Sequence, residues 1–472
     1  MKSSNIKNLN NVKKIYFIGI GGSGMFPLAG ILHKEGFEVS GSDIYESDTL
    51  EKVRNLGITV NLKQEEKNIS NQDLVVFSAA IKENNPEIVA AKNKNIPIIE
   101  RSVMLGIIFN QYKNSIGVSG THGKTTTTSM ITSALLDSNQ DITSIIGGTL
   151  PKINSNSCLG KSDIIVTEAC EYVDSFLQLN PKISVITNIE ADHLDYFGSL
   201  ENIKKSFRQF ALQTSNLIVA NGDDANVTDT LKNINHAKIV FFGKSEKNDY
   251  YPKNVIFNTS QCANFDIYNR KTKLAHISLS VPGVHNLYNA LASFAVCDAL
   301  KINHDVISRG LKNFSGVHRR FEKLCEINGV TIVDDFAHHP TEIATTLTAA
   351  SKMNFRKVWA IFQPHTFSRT YTLMEDFAKA LSIPQVAIIS DILPVRETNV
   401  YGISSKNLVE KIPGSLYIPT FEEITDYICQ NVRQGDLVIT LGGGNIYKCA
   451  NMIAKKMSHK LSWYWFKINI SC

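Results

Sequence analysis

Short apolar runs bounded by glycines or polar turns alternate with longer stretches of helical period along almost the whole chain. In a first block, strand-like runs at 15–18, 38–40, 74–78 and 96–99 alternate with helical stretches at 25–35 and 86–95. A helical stretch at 104–110 and the polar Gln111-Tyr112-Lys113-Asn114 close that block. The second block has strands at 115–119, 164–168 and 184–187, a helix at 126–136 and a closing helix at 285–300. Within it, residues 255–281 alternate polar and apolar positions, the period of a small antiparallel insertion. The third block shows strands at 331–334, 358–362, 386–390 and 437–441, with helices between them and one opening at Pro340. Strand–helix alternation in three blocks predicts an α/β protein of three domains with mainly parallel sheets. The expected bounds are 1–113, 114–314 and 315–472, with no internal repeat.

Two glycine-rich turns each follow a strand and open a helix, and they give the first two domains their character. Gly120-Thr121-His122-Gly123-Lys124-Thr125-Thr126-Thr127-Thr128 reads as a phosphate cradle. Its N–H groups would point inward, and the helix N-terminus behind them adds partial positive charge. Lys124 would reach the outer phosphates of ATP, and the Thr125 hydroxyl would hold magnesium. The usual loop has a glycine five residues before Gly123, where this chain has Val118, so the loop is a shortened variant. A Thr-rich helix start with a helpful cap is the alternative. The other turn, Gly19-Ile20-Gly21-Gly22-Ser23-Gly24, is a full GxGxxG, with Asp43 about twenty residues on to meet a ribose hydroxyl. The physics asks only for a diphosphate on a helix N-terminus with a sugar nearby. A nicotinamide-dependent dehydrogenase fits this turn alone, and a non-catalytic nucleotide sensor fits the other alone. An enzyme that couples ATP hydrolysis to modification of a nucleotide-linked sugar needs both. The expected architecture is therefore a Rossmann-like N-terminal domain, a central P-loop-type ATPase domain and a C-terminal Rossmann-like α/β domain.

Composition adds exclusions. Net charge is +5, spread thinly, with no basic stripe interleaved with aromatics, so nucleic acid is not an expected partner. The eight cysteines include no CxxC pair, which suits reduced thiols in the cytoplasm and gives no zinc spacing. The polar stretch up to Lys14 and the short apolar run after it lead us to expect neither a signal peptide nor membrane insertion. The aromatic run Trp463-Tyr464-Trp465-Phe466 is expected to pack against the last domain or to be an idiosyncrasy of this chain. Monomer and homo-oligomer both stay open.

From Gly19 to about Lys456 the motif set resembles the Mur ligases, and within them the members that join L-alanine to UDP-N-acetylmuramate. The resemblance implies that Gly19, Gly21, Gly22, Ser23, Gly24 and Met25, with Ser42 and Asp43, hold the UDP-sugar. It implies an ATP site of Gly120, Thr121, His122, Gly123, Lys124, Thr125 and Thr126. Asn286 and Asn289 look like the adenine-side motif, and Arg319-Arg320-Phe321 resembles the segment carrying a junction arginine, here Arg320. Glu168-Ala169-Cys170-Glu171-Tyr172 and the stretch 188–195 resemble the metal-bearing segments. The runs 334–340 and 362–370 are similar to the alanine-ligase signatures of the last domain. Phe336 stands where the family often has Tyr, which removes a hydroxyl near the amino-acid pocket, and Asn445 replaces a usual Asp. Sister ligases carry a carbamylated lysine at the metal site; neither Lys204 nor Lys205 takes that role on sequence alone.

The implied reaction begins with attack of the muramyl carboxylate on the ATP γ-phosphate, giving an acyl phosphate and ADP. The amine of L-alanine then attacks, and phosphate leaves. Both steps bring anions together, and two unit charges at close range in a partly shielded site repel by roughly 4 kcal/mol. Lys124, Arg320 and magnesium would supply the opposing charge. Thr125 is expected on one ion and Glu168 with His193 on a second, the alternative for His193 being a loop histidine that caps the next turn. The expected catalytic set is Lys124, His193, Arg320 and Asp335. Arg369 would hold the alanine carboxylate, with His338 or His365 near its amine, and Asp335 would orient Arg320 or a nearby basic group.

Overall fold

The computed structural model describes residues 6, 8–395 and 397–468, the side chains of residue 195 and of 459–468 excepted. The expectation for the aromatic run at 463–466 therefore lies outside the described side chains; its backbone continues the last helix, Tyr447–Ile468.

The fold is α/β with three mainly parallel sheets. Strand Lys14–Ile18 is the centre of the first, ordered Thr59–Asn61, Glu38–Ser42, Lys14–Ile18, Leu74–Phe77, Ile98–Glu100, all parallel. Leu74–Phe77 is apolar and buried throughout, as a strand covered on both faces must be. Strand order reverses beside Lys14–Ile18, and such a crevice is where open α/β sheets take ligands.

The second sheet has ten strands. Its centre runs Leu217–Asn221, Ile183–Ile186, Asn114–Ser119, Ile164–Glu168, Thr143–Leu150, all parallel neighbours. Ser155–Cys158 adds antiparallel to Thr143–Leu150. That hairpin was not expected, because Gly147, Gly148 and several hydroxyl residues break its apolar alternation. At the other end, Tyr250–Phe257, Cys262–Asn269 and Thr272–Pro282 are successive strands in the segment read as an insertion. The third sheet is ordered Glu322–Ile327, Val330–Asp335, Asp436–Leu441, Lys357–Phe362, Val386–Ile389, Leu416–Tyr417. Only Glu322–Ile327 runs antiparallel, across a bulge between Lys323 and Cys325.

The chain packs as two compact units: residues 1–253, 266–277 and 288–313 in one, and 254–265, 278–287 and 314–472 in the other. Within the first unit one apolar cluster, from Leu9 to Ile234, runs through both the five-stranded sheet and the centre of the ten-stranded one. Helix Arg101–Phe109 makes the join by laying Gly106 against the segment Tyr172–Gln178; a Cβ there would sit 2.5 Å from the Gln178 carbonyl oxygen. In the second unit two separate apolar clusters line the six-stranded sheet. Among the described residues no helix is long and apolar enough to cross a membrane.

Candidate active site

The GxGxxG turn leaves the central strand of the first sheet. Gly19 takes a φ of +82°, and the N–H groups of Gly19 and Ile20 both donate to the Ser42 carbonyl, at 2.8 and 3.0 Å. Asp43 Oδ2 accepts from the Gly21 N–H at 2.9 Å, so the acid read as a ribose partner braces the turn itself. Ser42 is buried, and its hydroxyl donates to Glu87 Oε2 at 2.6 Å. Tyr16 and Asn68 donate to the other oxygen of Glu87, each at 2.7 Å, and burial pushes that carboxyl up. Ser42 therefore serves an internal network through its side chain. Met25, 1 % exposed, is likewise a core residue, anchoring helix Met25–Lys34 behind the turn. Sequence reading missed Arg101. It opens the helix that follows the sheet's last strand, and its side chain lies over Gly24, whose Cβ would be 3.1 Å from Arg101 Cδ. No motif marks it; the strand order alone brings this cation to the turn. The Ser23 carbonyl accepts from Asn156 Nδ2 at 2.9 Å, which ties the turn to the unexpected hairpin.

The phosphate loop leaves Asn114–Ser119 between two parallel neighbours, so the ends of Ile164–Glu168 and Ile183–Ile186 flank it. Gly120, at φ +136°, passes so close to Thr187 that a Cβ would overlap its hydroxyl. Gly123, at φ +85°, leaves only 2.7 Å between such a Cβ and Asn289 Oδ1. Both positions require glycine. The loop is stitched to the segment after Ile186. Thr121 N–H donates to the Asn188 carbonyl at 3.1 Å and His122 N–H to Asn188 Oδ1 at 2.8 Å. Thr187 Oγ1 and Asn188 Nδ2 donate back to the His122 carbonyl, at 2.6 and 3.0 Å. Thr121 Oγ1 accepts from the Glu190 N–H at 2.9 Å.

Helix Lys124–Asp137 starts two residues earlier than its apolar period indicates, which puts Lys124, Thr125 and Thr126 in the first turn. Lys124 Nζ donates to the carbonyls of Gly120 and Thr121 and, at 3.0 Å, to Glu171 Oε1. Burial works against its charge, but Glu171, Cys170 and Glu168 outweigh it and hold the ammonium pKa above its usual value. Glu171 is the second residue that the sequence does not single out: within 168–172 nothing in the spacing separates it from Glu168. The Glu168 carboxylate sits over Gly147 and accepts from its N–H. His193, at φ +53°, precedes the short helix Leu194–Phe197 and makes no side-chain capping bond, so the capping alternative has no bond behind it. Its ring centroid is 4.6 Å from that of Tyr172, and Nε2 is 3.7 Å from Asp192 Oδ2. Lys204 is spent on Asp229 and Glu201. Thr125, Glu168 and the orphan Oε2 of buried Glu171 are hard oxygen donors that suit magnesium, with His193 the softer member. Asn289 Oδ1 accepts from Thr127 Oγ1 at 3.2 Å, packing helix Val284–Ala299 onto the loop helix. Asn286 belongs to the other unit and donates to the Pro282 carbonyl at 2.7 Å.

The second unit gathers its own polar cluster at adjacent strand ends. Val330–Asp335, Asp436–Leu441 and Lys357–Phe362 end side by side, which brings together residues 334–339, 442–445 and 363–369. Arg319 is engaged at each guanidinium nitrogen: it pairs with Asp334 at 2.8 Å and donates to the carbonyls of Gly444 and Gly442. Arg320 is 30 % exposed at its side chain and 3.7 Å from Glu342. Phe336 lies under both guanidiniums, 4.9 Å from Arg319 and 5.3 Å from Arg320. Asp335 is buried and accepts from the N–H groups of Phe321 (3.0 Å) and Ala337 (2.8 Å) and from Thr346 (3.2 Å). Burial pushes its pKa up to about 6 against the pull of Arg320. His338 Nδ1 is 3.0 Å from the Phe336 carbonyl, and burial lowers its pKa to about 4. Its ring centroid is 6.1 Å from that of His365, itself 3.5 Å from an Arg369 guanidinium nitrogen. Burial and Arg369 lower the His365 pKa. Asn445 Oδ1 accepts from Gln363 Nε2 at 2.9 Å, so the amide found in place of an acid closes a neutral side-chain pair.

Three family models match in order: "Mur ligase family, catalytic domain" over 14–113, "Mur ligase middle domain" over 118–297 and "Mur ligase, glutamate ligase domain" over 319–444. The chain belongs to the Mur ligase family. Among its Mur ligase relatives is the UDP-N-acetylmuramate–L-alanine ligase of Caldanaerobacter subterraneus, 44% identical over 93% of this chain and 97% of that protein. Its counterpart in Acetivibrio thermocellus is 44% identical over 96% and 98%. The crystal structure of UDP-N-acetylmuramate-alanine ligase from Thermotoga maritima is similar at a TM-score of 0.81 and 27% identity, covering 95% of this chain and 99% of that one.

Proposed function

We propose that this Mur ligase joins L-alanine to UDP-N-acetylmuramate at the expense of ATP, an early step of peptidoglycan precursor synthesis, in the cytoplasm. The observation that carries the reading is the pair of glycine turns in one compact unit, one with Lys124 on its loop and one with Arg101 beside it. Full-length likeness to L-alanine ligases supplies the amino acid. In this reading residues 1–113 bind the UDP-sugar, 114–314 bind ATP and 315–472 bind the amino acid.

The lactyl carboxylate attacks the γ-phosphorus and ADP leaves; the amine then attacks the acyl carbon, and phosphate departs with the bond electrons. Lys124 and Arg320 offset the negative charge that accumulates in both steps. One magnesium ion would be held by Thr125 and a second by Glu168 with His193, where they would neutralise phosphate charge. In the other unit the closeness of His338 Nδ1 to the Phe336 carbonyl assigns the Nδ1–H tautomer, leaving the Nε2 lone pair to accept a hydrogen bond from the incoming amine, a place that His365 could also take. Arg369 offers its guanidinium to a carboxylate. Incubating the protein with ATP, magnesium and UDP-N-acetylmuramate and adding each amino acid in turn tests the assignment. We expect phosphate release to be strongest with L-alanine; release only with peptides would overturn it.

A further inference from the structure

All three hydrogens of the Lys124 ammonium are spent without a nucleotide: on Gly120 O, Thr121 O and Glu171 Oε1. Glu171 is 3 % exposed, and its second oxygen, Oε2, is buried with no hydrogen-bond partner. A half-satisfied buried carboxylate is costly, and a fold keeps one only where something enforces it. The enforcement is visible in the backbone. Val173 and Asp174, two and three residues further on, have φ of 53° and 55°, a region that a β-branched residue enters only under constraint. The turn is pinned by the Asp174 N–H on the Glu171 carbonyl, at 2.9 Å, and by the hydroxyls of Tyr196 and Ser206, which both donate to the Asp174 carboxylate. Strain is thus held within three residues of the acid that pairs with the loop lysine.

We propose that Glu171 is a specificity-determining residue that makes the loop select metal-bound nucleotide over bare triphosphate. The proposal rests on reading Gly120–Thr125 as the ATP site. A bare triphosphate must compete with Glu171 for Lys124 and meets the carboxylate's charge, with Glu168 adding to the negative field around the lysine. A metal-bound triphosphate carries less negative charge and brings metal-bound water, an O–H donor of the kind Oε2 lacks. Oε2 then gains a partner when the correct form of the nucleotide enters, and only then.

Calorimetric titration of the full-length protein with ATP, once in EDTA and once in excess magnesium chloride, tests this. We expect Glu171→Gln to bind metal-free ATP about tenfold tighter than the wild type, equivalent to about 1.4 kcal/mol. Its affinity for magnesium ATP should stay within about threefold, so the preference for the metal complex shrinks about tenfold. Glu171→Ser, also uncharged, should behave the same way and covers failure of the glutamine variant to fold. Glu171→Asp keeps the charge and should keep the preference. The proposal falls if the uncharged variants retain the wild-type preference, or if Glu171→Asp loses as much of it as they do. A wild-type protein that binds ATP in neither condition overturns the ATP-site reading itself.

Discussion

Lys124, the phosphate-binding residue of the proposed mechanism, is held by Glu171 and two loop carbonyls. Lys124→Ala should lower turnover at least about 10²-fold, the scale of losing one preorganised charge; near-normal phosphate release would remove it from the mechanism. His193→Ala should lose turnover that added magnesium partly restores, read as a shift in the magnesium dependence of the rate. Asp335 supports a prediction of another kind. Its folded pKa of about 6 lies above an ordinary aspartate's, so the folded chain binds more protons than the unfolded one between about pH 4 and 6. Stability from this group is present below that window and is lost as pH rises through it, to a total of ~3 kcal/mol. Asp335→Asn should remove that fall, so denaturant unfolding at pH 4.5 and pH 7 should show a flatter difference than in the wild type. His338, lowered to about 4 by burial, works in the opposite sense: its contribution is present above its unfolded pKa and lost on acidification. Comparing variant with wild type separates the two.

At the scale of elements, strand adjacency does what spacing along the chain does not. Glu168 and Thr187 flank the phosphate loop because their strands are the two parallel neighbours of Asn114–Ser119. The apolar runs of those strands were legible, as were both glycine turns, because parallel buried strands leave continuous hydrophobic signatures. The hairpin Thr143–Leu150 with Ser155–Cys158 was not, since its strands are polar and glycine-broken and its stability comes from its neighbour Ile164–Glu168. The early start of helix Lys124–Asp137 was hidden too, because Gly123 rather than an apolar period sets it. Gly120→Ala tests the loop as an element. Its Cβ would collide with Thr187 in a left-handed backbone, so we expect a loss of at least about 2 kcal/mol in unfolding free energy. ATP binding should be lost with it. Adding Thr187→Ala should recover part of the stability, and no recovery would place the strain in the backbone alone.

At the scale of the molecule, the two glycine turns share one compact unit and one apolar cluster, although their sheets are separate. Calorimetry should therefore show magnesium ATP and UDP-N-acetylmuramate each raising the same unfolding transition, by about 2.7 kcal/mol at a hundredfold excess over Kd. Shifts of two different transitions would mean that the shared core does not unfold cooperatively. The sequence by itself determined the local pieces: two glycine turns, the α/β alternation and the motif order that marks a Mur ligase. These are local, set by glycine conformations, helix starts and apolar period, which residues close in the chain impose on one another. The tertiary structure decided which of those pieces touch. Sheet order carried Arg101 to Gly24 and Glu171 to Lys124, turned Ser42 toward Glu87, and gave Arg319 to Asp334 and Arg320 to Glu342. Such pairings depend on strand neighbours far apart in the chain and on the cost of burying an unpaired charge, and neither is written in local spacing.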